Sequence, residues 1–197
     1  IETGLLDSLN KRVKFLEETF ALLGLEGISA IHGRAEEYAK NKAYREKYDL
    51  CVSRAVSGLA TLSEYCLPYV KVGGLFVSYK SGSVKEEAEA AEKAVKILGG
   101  KIRDIQYFDL PGSEIGRSLV IIEKVKNTPG KYPEKPEHRS ESHWHKIPPV
   151  EQSQNLPTGD FFVREFHKII TNLSYFYHKL LLHYNPIEMP LDSPILC

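Results

Sequence analysis

From residue 4 to residue 125, short apolar runs alternate with segments whose apolar residues recur every three or four positions. This alternation is the strongest constraint the chain carries. It predicts strands at 4–8, 28–31, 48–53 and 75–79, with helices over 9–23, 59–70 and 84–98. In the first helix Val13, Leu16, Phe20 and Leu23 make the stripe, and Gly24 closes it. In the last, Ala88, Ala91, Val95 and Leu98 share a face, and Gly99-Gly100 stops it. Two final runs, 102–110 and 117–125, read as antiparallel neighbours. Strands alternating with helices of this length imply βαβ units and a largely parallel α/β sheet, which binds ligands at the carboxyl ends of its strands.

Composition sets the limits of that unit. Residues 137–197 hold six of the seven histidines, the one tryptophan and six of the eleven prolines, but one of the fourteen glycines. We therefore take 1–136 as the main unit and 137–197 as a separate tail. Lys plus Arg and Asp plus Glu are 26 each, so the chain is not a polybasic nucleic-acid binder, although a local basic patch remains open. No run of about 18 apolar residues is present, and no charged-then-apolar leader opens the chain. Cys51, Cys66 and Cys197 share no CxxC spacing, so neither a disulfide framework nor a zinc ribbon is expected. A reducing cytoplasm and no membrane fit these features.

The polar residues at the strand ends are the candidates for chemistry. Asp7 can accept hydrogen bonds from ribose hydroxyls, or act as N-cap of the following helix, with Ser8 sharing the task. In His32-Gly33-Arg34-Ala35-Glu36-Glu37 a backbone N–H can meet an adenine edge, while Glu36 can equally start a short helix. Arg54, just past an apolar strand, offers a rigid fork of donors for phosphate, carboxylate or a base edge, or makes a surface ion pair. Lys80 reads the same way, or as a solvated loop lysine. Arg117 opens the last strand, beside the turn at Pro111-Gly112-Ser113. His32 has no partner at metal-ligand spacing, and His143-Trp144-His145 lacks Cys or carboxylate ligands nearby, so no metal is expected. No GxSxG, HExxH or P-loop is present, and Cys51 and Cys66 read as core residues.

The motifs form an ordered series. It comprises Leu5-Leu6-Asp7-Ser8-Leu9-Asn10-Lys11-Arg12, His32-Gly33-Arg34-Ala35-Glu36, Ser53-Arg54-Ala55, Glu64-Tyr65-Cys66-Leu67-Pro68, Lys71-Val72-Gly73-Gly74 and Lys131-Tyr132-Pro133. The series closely resembles the 16S ribosomal RNA guanine-N7 methyltransferases, the glucose-inhibited division protein B family, over residues 3–136. The resemblance implies a Rossmann-like class I methyltransferase sheet, S-adenosylmethionine as cofactor, and 16S ribosomal RNA or the small ribosomal subunit as partner. It places Asp7 and Ser8 near the cofactor ribose, Ala35 and Glu36 beside the adenine, and Arg54 where cofactor and substrate meet. Arg34, Lys80 and Arg117 resemble basic positions linked to RNA or the target base.

Two departures accompany the resemblance. Residue 1 falls just before the family's second strand, so the expected sheet lacks its first strand and the Gly-x-Gly loop after it. Its second and fourth strands then lose their shared neighbour. Beyond residue 136 the composition is unrelated. There, Phe162, Phe166, Ile169, Ile170, Leu173, Tyr177 and Leu180 form a rough stripe, open to two readings: a helix over 161–184 that fills the gap left by the missing strand or mediates association, or a segment read out of frame. Two functions are therefore open. One is a ribosomal RNA methyltransferase, and the other a non-catalytic remnant or interaction module that has lost cofactor binding. A nicotinamide-dependent oxidoreductase is disfavoured, because no glycine-rich dinucleotide loop is present.

Overall fold

A computed structural model describes residues 2–54, 57–109, 116–134 and 194–196. In chain order it contains β1 Thr3–Asp7, α1 Asn10–Leu23, β2 Ile28–His32, α2 Ala35–Tyr38, β3 Tyr48–Ser53, α3 Leu59–Cys66, β4 Val70–Ser81, α4 Lys85–Ile97, β5 Gly100–Asp109, β6 Gly116–Lys124 and β7 Pro194–Leu196. The described strands form one sheet in the order β2-β1-β7-β3-β4-β6-β5. The first five are mutually parallel, and β6 runs antiparallel to both β4 and β5. The alternation in the sequence thus gives the expected α/β sheet with its antiparallel final pair.

The interior slot between β1 and β3 departs from expectation. It is not vacant: β7 lies in it, with Ile195 opposite both Gly4 and Cys51, and Leu196 opposite Leu5 and Val52. Two interior strand edges facing each other carry rows of unpaired N–H and C=O groups, which are costly to bury. A short strand from the far end of the chain satisfies part of both rows. Pro194 comes first in that strand, where its missing N–H matters least. The helix expected over 161–184, and His143-Trp144-His145, lie outside the described residues.

Packing explains the central strands. One face carries Cys51, Phe76, Val120 and Ile122, buried with Leu59 and Leu62 of α3 and with Ala88, Ala91, Ala94 and Val95 of α4. Leu50, Val52, Leu75, Val77, Leu119 and Ile121 point the other way and are buried as well. Burial on both faces is why β3 and β4 read as near-continuous apolar runs rather than alternating ones. The stripe of α4 is confirmed: Ala88, Ala91, Val95 and Leu98 are all buried. The stripe of α1 holds only in part. Val13 and Phe20 are buried, but Leu23 is 56% exposed in the final turn.

The helix expected over 59–70 is shorter. It stops at Cys66, a 3-10 turn follows over Leu67–Tyr69, and β4 already begins at Val70. Pro68 has no N–H to return to the preceding turn, and its ring crowds that turn's carbonyl. The early part of β4 is irregular. Tyr48 pairs with Val70 but Leu50 pairs with Leu75, so Lys71-Val72-Gly73-Gly74 bulges opposite Asp49. Gly73 takes φ +89°, and a Cβ on Gly74 would stand 2.5 Å from the Asp49 carbonyl oxygen, so both glycines are required by the bulge. The Lys71 ammonium pairs with the buried Asp49 carboxylate across it.

Candidate functional site

The parallel register brings the polar strand ends to one edge of the sheet. Asp7 at the tip of β1 pairs in register with His32 at the tip of β2. The Gly33 N–H donates to the Asp7 carbonyl at 3.0 Å and locks the two tips together. Arg54 follows β3 directly, and Ser53 is in register with Ser78, two residues before Lys80. Across the antiparallel pair, Lys80 faces Ser118 and Ser81 faces Arg117. Asp7, Arg34, Glu36, Arg54, Lys80 and Arg117 therefore all lie along the carboxyl edge, where such sheets take their ligands.

Asp7 does not cap α1, whose N-cap is Leu9 and which has no side-chain cap bond. Its Oδ1 accepts the Leu9 N–H at 2.7 Å, and its Oδ2 accepts from Arg12 at 3.0 Å, so it braces the turn that leads into α1. Each carboxylate oxygen has a second lone pair, so both retain capacity for a further donor. Ser8 is exposed beside it, and its carbonyl lies 3.3 Å from His32 Nε2.

At the tip of β2 the chain turns tightly into α2. A Cβ on Gly33 would sit 2.1 Å from the Tyr38 ring, and the Tyr38 hydroxyl donates back to the His32 carbonyl at 3.1 Å. Only glycine fits under that ring. Glu36 is buried, and its Oε1 accepts from Arg34 Nε at 2.8 Å. That bond and the carboxylate's charge raise the Arg34 pKa above its ordinary value and keep the guanidinium oriented at the surface. Ala35 is held from below, because the fully buried Tyr69 donates its hydroxyl to the Ala35 carbonyl at 2.6 Å. The spacing of the sequence gives no hint of that contact, since Tyr69 and Ala35 are 34 positions apart.

Lys80 is not a solvated loop lysine. Its side chain is 10% exposed, and its ammonium donates to the Ser57 carbonyl at 2.7 Å and to Glu87 Oε1 at 2.8 Å. Arg54 is exposed at the surface, and Arg117 is half-buried with one nitrogen on the Gly116 carbonyl at 3.2 Å. The turn at 111–113 and Ala55 lie outside the described residues.

Other members of the motif series lie at the opposite edge and perform structural work. Arg45 donates to the carbonyls of Ala39, Thr128, Pro129 and Tyr132, and so fastens the segment around Lys131-Tyr132-Pro133 to the loop before β3. Buried Glu64 accepts the Glu134 N–H at 2.7 Å. Lys124 is wholly buried, donating to Thr128 Oγ1 and to the Leu67 carbonyl, with Glu46 3.4 Å away. Burial lowers its pKa to about 8, against the pull of Glu46 in the other direction. Cys51 and Cys66 lie in the core. Among the described residues, no three His, Cys, Asp or Glu converge to hold a metal ion, and no helix is long and apolar enough to cross a membrane.

The model of the GidB family, described as rRNA small subunit methyltransferase G, matches residues 1–115, more than half of the chain. The chain belongs to the GidB family. It is similar to the ribosomal RNA small subunit methyltransferase G of Clostridium novyi (strain NT), with 54% identity over 132 residues, covering 67% of this chain and 54% of that protein. It is also similar to the Clostridium tetani protein of the same name, 52% identical over 134 residues, covering 68% of this chain and 56% of that one. The chain thus spans about half the length of the curated relatives it matches. Among solved structures it resembles the Pyrococcus horikoshii protein PH0793, with TM-score 0.50, 14% identity and coverage of 64% of this chain and 49% of that one. That likeness extends the Rossmann-like assignment to the fold of this GidB chain.

Proposed function

We propose that the chain carries part of an S-adenosylmethionine-dependent methyltransferase whose substrate is guanine N7 of 16S ribosomal RNA in the small subunit. The observation that carries the reading is the row of Asp7, Glu36, Arg54 and Arg117 along one edge of the sheet, in a chain 54% identical to a ribosomal RNA small subunit methyltransferase G. The residues fit the cofactor. Asp7 keeps two lone-pair directions for vicinal ribose hydroxyls, and the Ala35–Glu36 backbone, fixed by Tyr69, offers a rigid edge for an adenine.

S-adenosylmethionine, when bound, supplies an electrophilic methyl group. The chain's own residues bind, orient and screen. Guanine N7 is a bare lone pair, so no proton has to leave before it attacks, and no general base is required. Holding nucleophile and methyl in line can supply about 7–11 kcal/mol of the barrier by itself. Arg34, Arg54 and Arg117 would hold RNA phosphates or the guanine O6 edge through charge-assisted hydrogen bonds. The lack of a catalytic dyad in the motif series is consistent with this chemistry.

One observation favours a second reading, a non-catalytic interaction module: the interior slot beside the candidate cofactor site is held by Pro194–Leu196. Calorimetric titration with S-adenosylmethionine separates the two. The methyltransferase reading expects saturable binding that weakens at least tenfold in Asp7→Ala, roughly the value of one or two charge-assisted hydrogen bonds. Absence of saturable binding by the wild-type chain refutes it in favour of the module. Transfer of labelled methyl to small-subunit particles then tests the substrate.

A further inference from the structure

We propose that Glu87 is a positioning residue of this site: it ties Lys80 to the start of α3 and thereby fixes Ser57 and Leu59, which follow Arg54 closely in the chain. The proposal rests on the methyltransferase reading only for what Arg54 contacts.

Two bonds meet at one carboxylate oxygen, and a third leaves the lysine that makes one of them. Glu87 Oε1 accepts the Lys80 ammonium at 2.8 Å and the Leu59 backbone N–H at 2.6 Å, while Lys80 also donates to the Ser57 carbonyl at 2.7 Å. The tip of β4, the first turn of α4 and the first turn of α3 are thus joined at one point. Their burial makes the joint firm, with Lys80 and Glu87 side chains only 10% and 26% exposed.

The joint also answers a local need. α3 begins after Gly58, which has no side chain, so α3 has no cap of its own for its orphan N–H groups. Glu87, 28 residues further along the chain, supplies the missing acceptor and sets a negative charge at the positive end of α3. The described residues before position 55 and after position 56 are then both anchored. Ser53 is fixed in the sheet against Ser78, and Ser57 and Leu59 are fixed by the Lys80–Glu87 pair. Arg54 lies between those anchors. In this arrangement Lys80 acts through Ser57 and Glu87 rather than by contact with RNA, because its side chain is 10% exposed and two of its three donors already face a carbonyl and a carboxylate inside the protein.

The test uses the full chain, with Glu87→Ala, Lys80→Met and the double variant. Hydrogen exchange at the Leu59 amide and amine acetylation at Lys80 read the joint directly. Lys80 should be labelled about tenfold or more slowly than exposed Lys40 and Lys85 in the wild type, and should lose that protection in Glu87→Ala. Leu59 exchange should accelerate in both single variants. Wild-type Lys80 labelling as fast as Lys40, or Leu59 exchange unchanged in Glu87→Ala, overturns the proposal.

Binding of a guanine-containing single-stranded RNA oligonucleotide reads the consequence for the site. Positioning predicts that both single variants weaken affinity roughly three- to tenfold and that the double variant is no worse than the weaker single, the signature of one coupled unit. Affinity is a property of the folded fraction, so loss of stability alone does not reproduce that pattern. If Lys80 instead touches phosphate, Lys80→Met weakens binding while Glu87→Ala leaves it unchanged or tightens it, and the positioning role falls. Should the wild type bind no RNA, the methyltransferase reading fails, and the Leu59 and Lys80 measurements still decide whether Glu87 holds the start of α3.

Discussion

Raising the pH from 7 to 9 should stabilise this protein, against the usual trend. The cause is Lys124, whose side chain is wholly buried between the Leu67 carbonyl, Thr128 and Glu46. Burial lowers its pKa from 10.5 to about 8 in the folded chain. A lysine whose folded pKa is depressed binds its proton more weakly when native than when unfolded. Below pH 8 both states are charged, and the folded state bears the full cost of a buried ammonium. Between pH 8 and pH 10.5 the native lysine is neutral while the unfolded one is still charged, so stability rises with pH across that window. The size follows from linkage: about 1 kcal/mol gained between pH 7 and pH 9, approaching about 3 kcal/mol when the window is complete. Tyr79 opposes this at the top of the range. Burial pushes it up to about 12, so the folded state keeps a proton that the unfolded state loses above pH 10. Urea denaturation at pH 7, 8 and 9 tests the effect, with Lys124→Met as reference. The variant takes one donor from the Leu67 carbonyl and the nearby positive charge from Glu46, so it starts less stable. The discriminating quantity is the slope, which should be flat in Lys124→Met and positive in the wild type. A wild-type stability that falls over pH 7–9, or an equal rise in Lys124→Met, refutes the reasoning.

Arg45→Met removes donors from four carbonyls and should cost about 2–3 kcal/mol in chemical denaturation, with faster amide exchange at Tyr132. Gly33→Ala drives a Cβ into the Tyr38 ring and should lower stability by about 1–3 kcal/mol; a variant as stable as the wild type would show that the turn relaxes freely. Tyr69→Phe strips one hydroxyl from the Ala35 carbonyl, and about 1 kcal/mol of stability should go with it, together with measurable weakening of S-adenosylmethionine binding by calorimetry. Gly74→Val should be far more damaging than Gly130→Val when thermal midpoints are compared. A side chain at 74 meets the Asp49 backbone, whereas one at 130 meets open space.

Most of the sheet is legible in the chain, and so is the edge on which the candidate site lies. Apolar runs ending in Asp7, His32, Ser53 and Lys80 give parallel strands, and parallel strands bring their ends together. The errors have physical causes. Propensity carried α3 past Cys66, because Pro68 is tolerated by a 3-10 turn and the irregular Lys71–Gly74 segment hides that β4 has begun. Leu23 was expected in the core because periodicity fixes a face but not how far a neighbour reaches under it. The candidate residues were found by type and position. Their partners were not: Tyr69, Glu87 and Ser57 carry no signal in local spacing, since their contacts span 34, 7 and 23 positions.

The sequence alone determined the elements, their direction and the family, because those depend on local periodicity and on an ordered set of short motifs. Tertiary structure decided which motifs face the site and which brace the opposite edge. It turned Lys80 from a surface cation into half of an internal joint. It also placed Pro194–Leu196 between β1 and β3, far from both in the chain. The reason is the same in each case. A hydrogen bond or strand pairing between residues distant in sequence depends on where the backbone finally lies, and residue order does not encode that locally.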